Sequence, residues 1–271
     1  MLPQLHIFSG GTQLTVSTYG LCACIAALLG AALAWPRLLR SGLRTRQAVT
    51  LLLGMTVAFL VGARLWNLAV NPANYSGTLR WYSLRFAGLS LYGGIASAMA
   101  VLLALLWRWR IPVWAALDSM VTPACAAFVV ARLGCFAAGC CAGRVTTAPW
   151  GLVFPARVAA QEALGRMMPL LGGAKLLHPT QLYELFGATL CLLITLAVFR
   201  RRGILPGSRF LLFGSLFCLM RLAVLPFRAL VYAEPVASVL YPLLYGGLAL
   251  AGLVILLFRV CTQRNSTGGI H

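Results

Sequence analysis

One stretch of this sequence carries most of its chemistry: Arg132-Leu133-Gly134-Cys135-Phe136-Ala137-Ala138-Gly139-Cys140-Cys141-Ala142-Gly143. An arginine closes an apolar run and leads into a turn of glycine and cysteine. Inside a bilayer an arginine is costly unless it meets an anion, so Arg132 is a functional-site candidate by default. Gly134, Gly139 and Gly143 let the backbone approach a ligand closely or turn with positive φ. The same small residues also let membrane helices pack closely. Arg64 and Arg221 fall within or at the ends of apolar runs as well, and the carboxylates able to face them are Asp118 and Glu184. Pairing arginine with carboxylate would hold helices together, yet it leaves one positive charge over. An unpaired central arginine costs roughly 2.5–3.5 kcal/mol on insertion scales. A phosphate would remove that penalty through bidentate contacts that lysine cannot copy. The excess therefore predicts a binding site for an anionic phospholipid headgroup.

The cysteines of the turn admit other chemistry. Cys135, Cys140 and Cys141 with His178 have the ligand types for a metal, but C-x4-C-C spacing is unlike a zinc knuckle. No metal and no cofactor are expected. A disulfide within the turn is an option on an oxidising face; packing by small residues is the commoner outcome. Most of the nine cysteines lie in apolar runs and read as packing residues.

The elements that must position these groups follow from composition. The chain has 271 residues, 61% hydrophobic and only 10% charged, with a mean hydropathy of +0.89, which places it among integral membrane proteins. Its formal charge of +18, from 22 basic and 4 acidic residues, would suggest nucleic acid in a soluble protein. Here the basic residues sit mostly in short loops, where they set topology and meet anionic headgroups. Nucleic acid is not an expected partner. The first fourteen residues hold no Lys or Arg, so no cleavable signal peptide is expected.

Seven apolar runs are long enough to cross a bilayer of roughly 30 Å: 14–35, 48–70, 88–107, 113–132, 180–199, 209–226 and 237–258. The expected fold is an all-α integral membrane protein with seven transmembrane helices. One set of loops carries twelve arginines and the other seven basic residues over longer loops. The positive-inside rule then puts the N-terminus outside and the C-terminus in the cytoplasm. Residues 1–261 read as one membrane domain with an outer-face loop region at 133–179, and 262–271 as a disordered cytoplasmic tail. A stretch near 156–171, with Arg157, Gln161, Glu162 and Arg166, could lie as a helix on the interface.

Several local runs together resemble prolipoprotein diacylglyceryl transferases, seven-span enzymes of the bacterial inner membrane. They are Tyr19-Gly20, Arg64-Leu65 with Asn71-Pro72, and Gly88…Tyr92-Gly93-Gly94. Asp118 precedes Arg132-Leu133-Gly134-x-Phe136-x-x-Gly139-x-x-x-Gly143. His178-Pro179-x-Gln181-Leu182-Tyr183-Glu184 and Arg221 near Phe227-Arg228 complete the set. The resemblance runs over nearly the whole chain, and the turn combined with the His-Pro-x-Gln-Leu-Tyr-Glu run is specific.

The resemblance implies transfer of a diacylglyceryl group from phosphatidylglycerol to the lipobox cysteine of a prolipoprotein, with an active site toward the periplasmic side. It implies that Arg132 and Arg221 hold the headgroup phosphate, and that Tyr19, Gly143, His178 and Glu184 line or support the same cavity. Arg64, Gly93, Gly94, Gly134 and Gly139 are the further candidates for contact with phospholipid. The sequence departs from the family pattern at Tyr92 (usually His), Cys135 (usually Asn), Cys140 (usually Glu) and Leu225 (usually Glu). Tyr92, His178 and Glu184 are the candidates for the base that takes the thiol proton; a phenol with a pKa near 10 would need neighbouring arginines to lower it. A related transferase with another acceptor and a non-catalytic lipid-binding or transport protein are the alternatives.

Overall fold

The computed structural model describes residues 4–9, 12–70, 72, 89–154, 176–200, 205–229 and 236–267. Seven helices are long and apolar enough to cross a membrane: α1 (Thr18–Arg40), α2 (Thr45–Val70), α3 (Leu91–Arg108), α4 (Val113–Ala137), α5 (Thr180–Val198), α6 (Ser208–Val224) and α7 (Tyr241–Thr267). A helical turn, Leu225–Phe227, extends α6, and a π-turn, Val236–Leu240, leads into α7. The expected interfacial helix at 156–171 and most of the 71–87 loop lie outside the described residues.

The N-terminal end differs from expectation. The first span was expected from residue 14, but Thr12–Ser17 forms a strand, β2, paired antiparallel with β1 (Gln4–Ser9). The β-branched residues Thr12, Thr15 and Val16 suit an extended chain, and β1 supplies the backbone partners that a helix would find within itself. Helix α1 starts where Ser17 accepts a hydrogen bond from the Gly20 N–H at 3.3 Å, an N-cap. At the other terminus α7 continues to Thr267, past the point where a tail was expected. The loop region expected from 133 begins later too, since Leu133 to Ala137 complete α4.

Helix α1 packs along α4 and α2 along α3, with α5 and α6 joining them and α7 against α6. Glycines make two of these seams possible. A methyl group at Gly93 would collide with Trp66 and the Gly62 carbonyl on α2, and one at Gly134 would strike Cys22 on α1. This is close packing by small residues, the geometry that membrane helices use where apolar burial gives no drive. The apolar core, built around Leu38, Leu51, Leu102, Leu106 and Leu117, gathers near the end of the bundle where α1 and α3 finish. The opposite end, where α1, α3, α5 and α7 begin, is polar.

Candidate active site

Glu184, in the first turns of α5, is the centre of that polar end. It is 1% exposed and meets three guanidinium groups. Arg132, from the last turns of α4, reaches Oε2 through Nε at 2.6 Å. Arg221, near the end of α6, and Arg228, just beyond the helical turn, both donate to Oε1, Arg228 at 2.5 Å. Two of the three arginines are themselves buried, Arg132 at 9% and Arg221 at 5% exposure. Among the described residues, three positive charges thus share one carboxylate, a local surplus of two.

The second expected anion is elsewhere. Asp118 lies toward the start of α4, at the other end of the bundle, where its carboxylate accepts the backbone N–H groups of Gly207 at 2.7 Å and Phe210 at 2.8 Å. It caps α6 and forms no ion pair among the described residues.

Aromatic rings fix the arginine side chains. Arg221 donates through Nε to the Tyr245 hydroxyl at 2.9 Å and lies 5.5 Å from the centre of that ring. Arg132 sits over Phe128 at 4.9 Å. Tyr92 stacks on Tyr241 with ring centres 4.5 Å apart and touches Tyr245 at 5.4 Å. Holding a guanidinium between rings and carboxylate lowers its freedom before a ligand arrives, which favours tight oriented binding.

These groups face a cavity of about 220 Å³. Its charged wall is Arg132, Arg221 and Arg228; Tyr19, Tyr92, Tyr241 and Tyr245 supply hydroxyl groups, and Phe59, Leu91 and Leu225 supply apolar surface. Ser90, 2% exposed, also lines it, with a hydroxyl that has no hydrogen-bond partner among the described residues. A site with one apolar side and one cationic side matches a lipid headgroup and the first atoms of its chains.

The expected residues divide clearly. Tyr19, Tyr92, Arg132 and Arg221 line the cavity. Glu184 is not among the lining residues: it stands behind the arginines, ion-paired through both oxygens, with Oε2 lacking a hydrogen-bond partner among the described residues. His178 is not on the cavity wall: its Nδ1 lies 3.1 Å from the Tyr183 hydroxyl, which accepts from Trp150 Nε1 at 2.8 Å. Its ring packs against Phe227 with centres 5.0 Å apart, bracing the turn that carries Arg228. Arg64 is half-buried on α2 and is not among the lining residues.

The glycines serve packing and turning. Gly93 seats α3 on α2, Gly94 admits the Phe59 ring, and Gly134 seats α4 on α1. Gly139 has φ 70 and opens the turn after α4. Gly143 pairs with Arg228 as an antiparallel bridge, and its N–H donates to the His178 carbonyl at 2.8 Å. A methyl group there would press on the Phe227 carbonyl and the His178 Cβ. The glycine-cysteine turn therefore ties α4, the approach to α5 and the end of α6 together, which brings the three arginines to one carboxylate.

Arg228, Tyr241, Tyr245 and Ser90 are among the lining residues that the sequence did not mark as site candidates. Arg228 is one of the seven basic residues counted on the longer loops; its position seven residues after Arg221 is the available signal. Tyr241 and Tyr245, four apart at the start of an apolar helix, share one face.

The turn also brings together three thiols. The sulfurs of Cys135, Cys140 and Cys141 all lie within 4.8 Å of one another, and all three cysteines are unbridged. Hydrogen bonds from Cys135 and Cys140, with Arg132 and Arg228 beside it, hold the Cys141 thiol well below its usual range. Cys141 has φ 61, uncommon for a residue with a side chain. Its carbonyl accepts from Thr180 at 3.0 Å, and the Cys140 carbonyl from Gln181 at 2.5 Å.

Comparison with known proteins shows the family. The family model for prolipoprotein diacylglyceryl transferase matches residues 6–260. A phosphatidylglycerol–prolipoprotein diacylglyceryl transferase of Rhizobium leguminosarum is 28% identical over 90% of this chain and 86% of its own length. That of Agrobacterium fabrum is 27% identical over 76% of this chain and 64% of its own. That of the Wolbachia of Brugia malayi is 30% identical over 51% of this chain, which spans about half of that relative, 48%. With seven apolar helices and a match over almost its full length, the chain belongs to the prolipoprotein diacylglyceryl transferase family.

Proposed function

We propose that this protein transfers the diacylglyceryl group of phosphatidylglycerol to the lipobox cysteine thiol of prolipoproteins. The observation that carries the proposal is the surplus of positive charge in the cavity wall: three guanidinium groups against the single carboxylate of Glu184. One phosphodiester would neutralise half of that surplus, and its charge rises as the glyceryl C–O bond breaks. Arginines aimed at that oxygen stabilise the transition state more than the ground state. The substrate named for the relatives, phosphatidylglycerol, has the headgroup this wall suits.

In this reading Arg132 and Arg221 hold the phosphate, Arg228 assists, and Glu184 fixes all three. Tyr19 and the apolar wall receive the glyceryl backbone. Of the three candidate bases only Tyr92 lines the cavity; Glu184 is ion-paired to three arginines, and His178 lies against the Tyr183 hydroxyl. The site faces the periplasmic side of the bacterial inner membrane, a placement supported by Arg37, Arg40, Arg44, Arg108 and Arg110, which lie around the opposite helix ends.

Purified protein incubated with phosphatidylglycerol and a lipobox peptide should yield a thioether-linked peptide and glycerol phosphate. Arg132→Ala and Arg221→Ala should each cut the product by about 100-fold or more; near-normal rates in both would rule the reading out. Tyr92 and Leu225 in the cavity wall favour one second reading, a transferase with another acceptor, which would release glycerol phosphate and leave the peptide unmodified. Lipid binding without turnover would point to a non-catalytic protein.

A further inference from the structure

We propose that Cys135, Cys140 and Cys141 form a three-thiolate zinc site whose remaining position binds and activates the incoming cysteine thiol. The inference rests on the transferase reading and supplies the element that reading lacks, a means of turning a neutral thiol into a nucleophile. Three sulfurs on a tetrahedral zinc, at about 2.3 Å each, stand about 3.8 Å apart. The three thiols here already lie within 4.8 Å, about 1 Å beyond that spacing at most. Catalytic zinc keeps three protein ligands and one open position, whereas structural zinc takes four. Among the described residues no fourth His, Cys, Asp or Glu joins this group.

Position favours the role. Cys135 and Cys141 line the same cavity as Arg132, Arg221 and Arg228, so a metal held by the turn opens onto the place proposed for the phosphate. Zinc deprotonates a coordinated thiol outright, which removes the need for a side-chain base matched to neutral pH. The step balances without any redox partner. The lipobox sulfur donates an electron pair to the glyceryl carbon, and a C–S bond forms as the C–O bond to phosphate breaks. That electron pair leaves on glycerol phosphate, and the proton released when the thiol met the metal ends on it. A direct attack by Cys135, Cys140 or Cys141 on the lipid would instead trap the diacylglyceryl group as a stable thioether on the enzyme. Holding a metal keeps these sulfurs out of that reaction, and the surrounding arginines offset the negative charge of three thiolates.

The test uses the whole protein, purified under reducing conditions in lipid nanodiscs. It should carry one zinc per chain by elemental analysis. Replacing zinc with cobalt should give thiolate-to-metal charge transfer and the visible bands of a tetrahedral centre. A lipobox peptide added without phosphatidylglycerol should shift those bands; the same peptide with serine for cysteine should not. Chelation, Cys140→Ser and Cys141→Ser should each cut thioether formation by about 100-fold or more, the scale of a lost proton-transfer catalyst, and zinc should restore only the chelated wild type. Cys141 is exposed, so its serine variant tests the site even if Cys135→Ser fails to fold. Metal-free protein with undiminished turnover, or a disulfide in place of the metal, overturns the zinc site and leaves the transferase reading standing. Cobalt bands that respond to peptide with no thioether formed from phosphatidylglycerol support the thiol site and sink the transferase reading.

Discussion

Among the described residues the bundle holds two carboxylates within its helices, and it treats them in opposite ways. Asp118 is satisfied entirely by the backbone N–H groups of Gly207 and Phe210 at the start of α6, where unpaired donors and the helix dipole favour an anion. The arginines nearby look elsewhere: Arg259 covers Trp114 at 4.1 Å and donates to the Pro206 carbonyl, while Arg209 donates to the Phe199 carbonyl. Glu184 sits at the other end among Arg132, Arg221 and Arg228 and has more positive charge than it can neutralise. The first arrangement is closed and structural. The second is left electrostatically open toward a cavity, and that is the condition for taking up an anion. A buried acidic residue in a membrane bundle thus says little by itself; the balance of charge around it decides between scaffold and site.

The largest effect that would test the contrast is Glu184→Ala, which removes the only counter-charge that the three guanidinium groups have among the described residues. Breaking a buried ion pair on one side costs about 3–5 kcal/mol, and a thermal melt in detergent should show it; a melt unchanged from wild type would mean the arginines do not depend on this carboxylate. Next come Arg132→Ala and Arg221→Ala, each expected to lower turnover by about 100- to 1000-fold. Lysine at either place should fail to restore it, because a point charge does not copy a bidentate fork. Rescue by lysine would show that charge alone matters.

Smaller changes sharpen the comparison. Arg228→Ala leaves Glu184 with two partners, so turnover should fall by about 10- to 100-fold, the worth of one charged hydrogen bond, with a melt close to wild type. Asp118→Ala removes a helix cap and should cost about 0.5–2 kcal/mol with no change in turnover per folded molecule. A large kinetic effect there would erase the distinction between the two ends. Arg259→Ala should be the mildest, about 0.5–1 kcal/mol for a half-buried cation over a ring, again without effect on rate.

Much of this was legible in the linear chain because it depends on short windows. Seven spans follow from runs of apolar residues, and Arg132 and Arg221 stand out because a guanidinium is anomalous in such a run. The small residues of the turn flag themselves in the same way, and Gly134 there, like Gly93 and Gly94 on α3, sits in close contact with a neighbouring helix. The hairpin Gln4–Ser17 was missed because its strands are short, and only pairing makes them strands.

What the sequence alone determined, then, is the number of helices and the presence of cations that a membrane will not leave uncompensated. Only the tertiary structure decided which residues meet. Arg228 joined the site because the Gly143 bridge holds its backbone in register, 85 residues along the chain from its partner. Asp118 and Glu184 parted because α4 and α5 begin at opposite ends of the bundle. Three cysteines spaced unlike a metal motif came within 4.8 Å because the turn reverses at Gly139 and Cys141. Hydropathy and charge are properties of a residue and its neighbours in sequence, whereas a charge balance or a ligand set is a sum over helix ends that only packing brings within reach of one another.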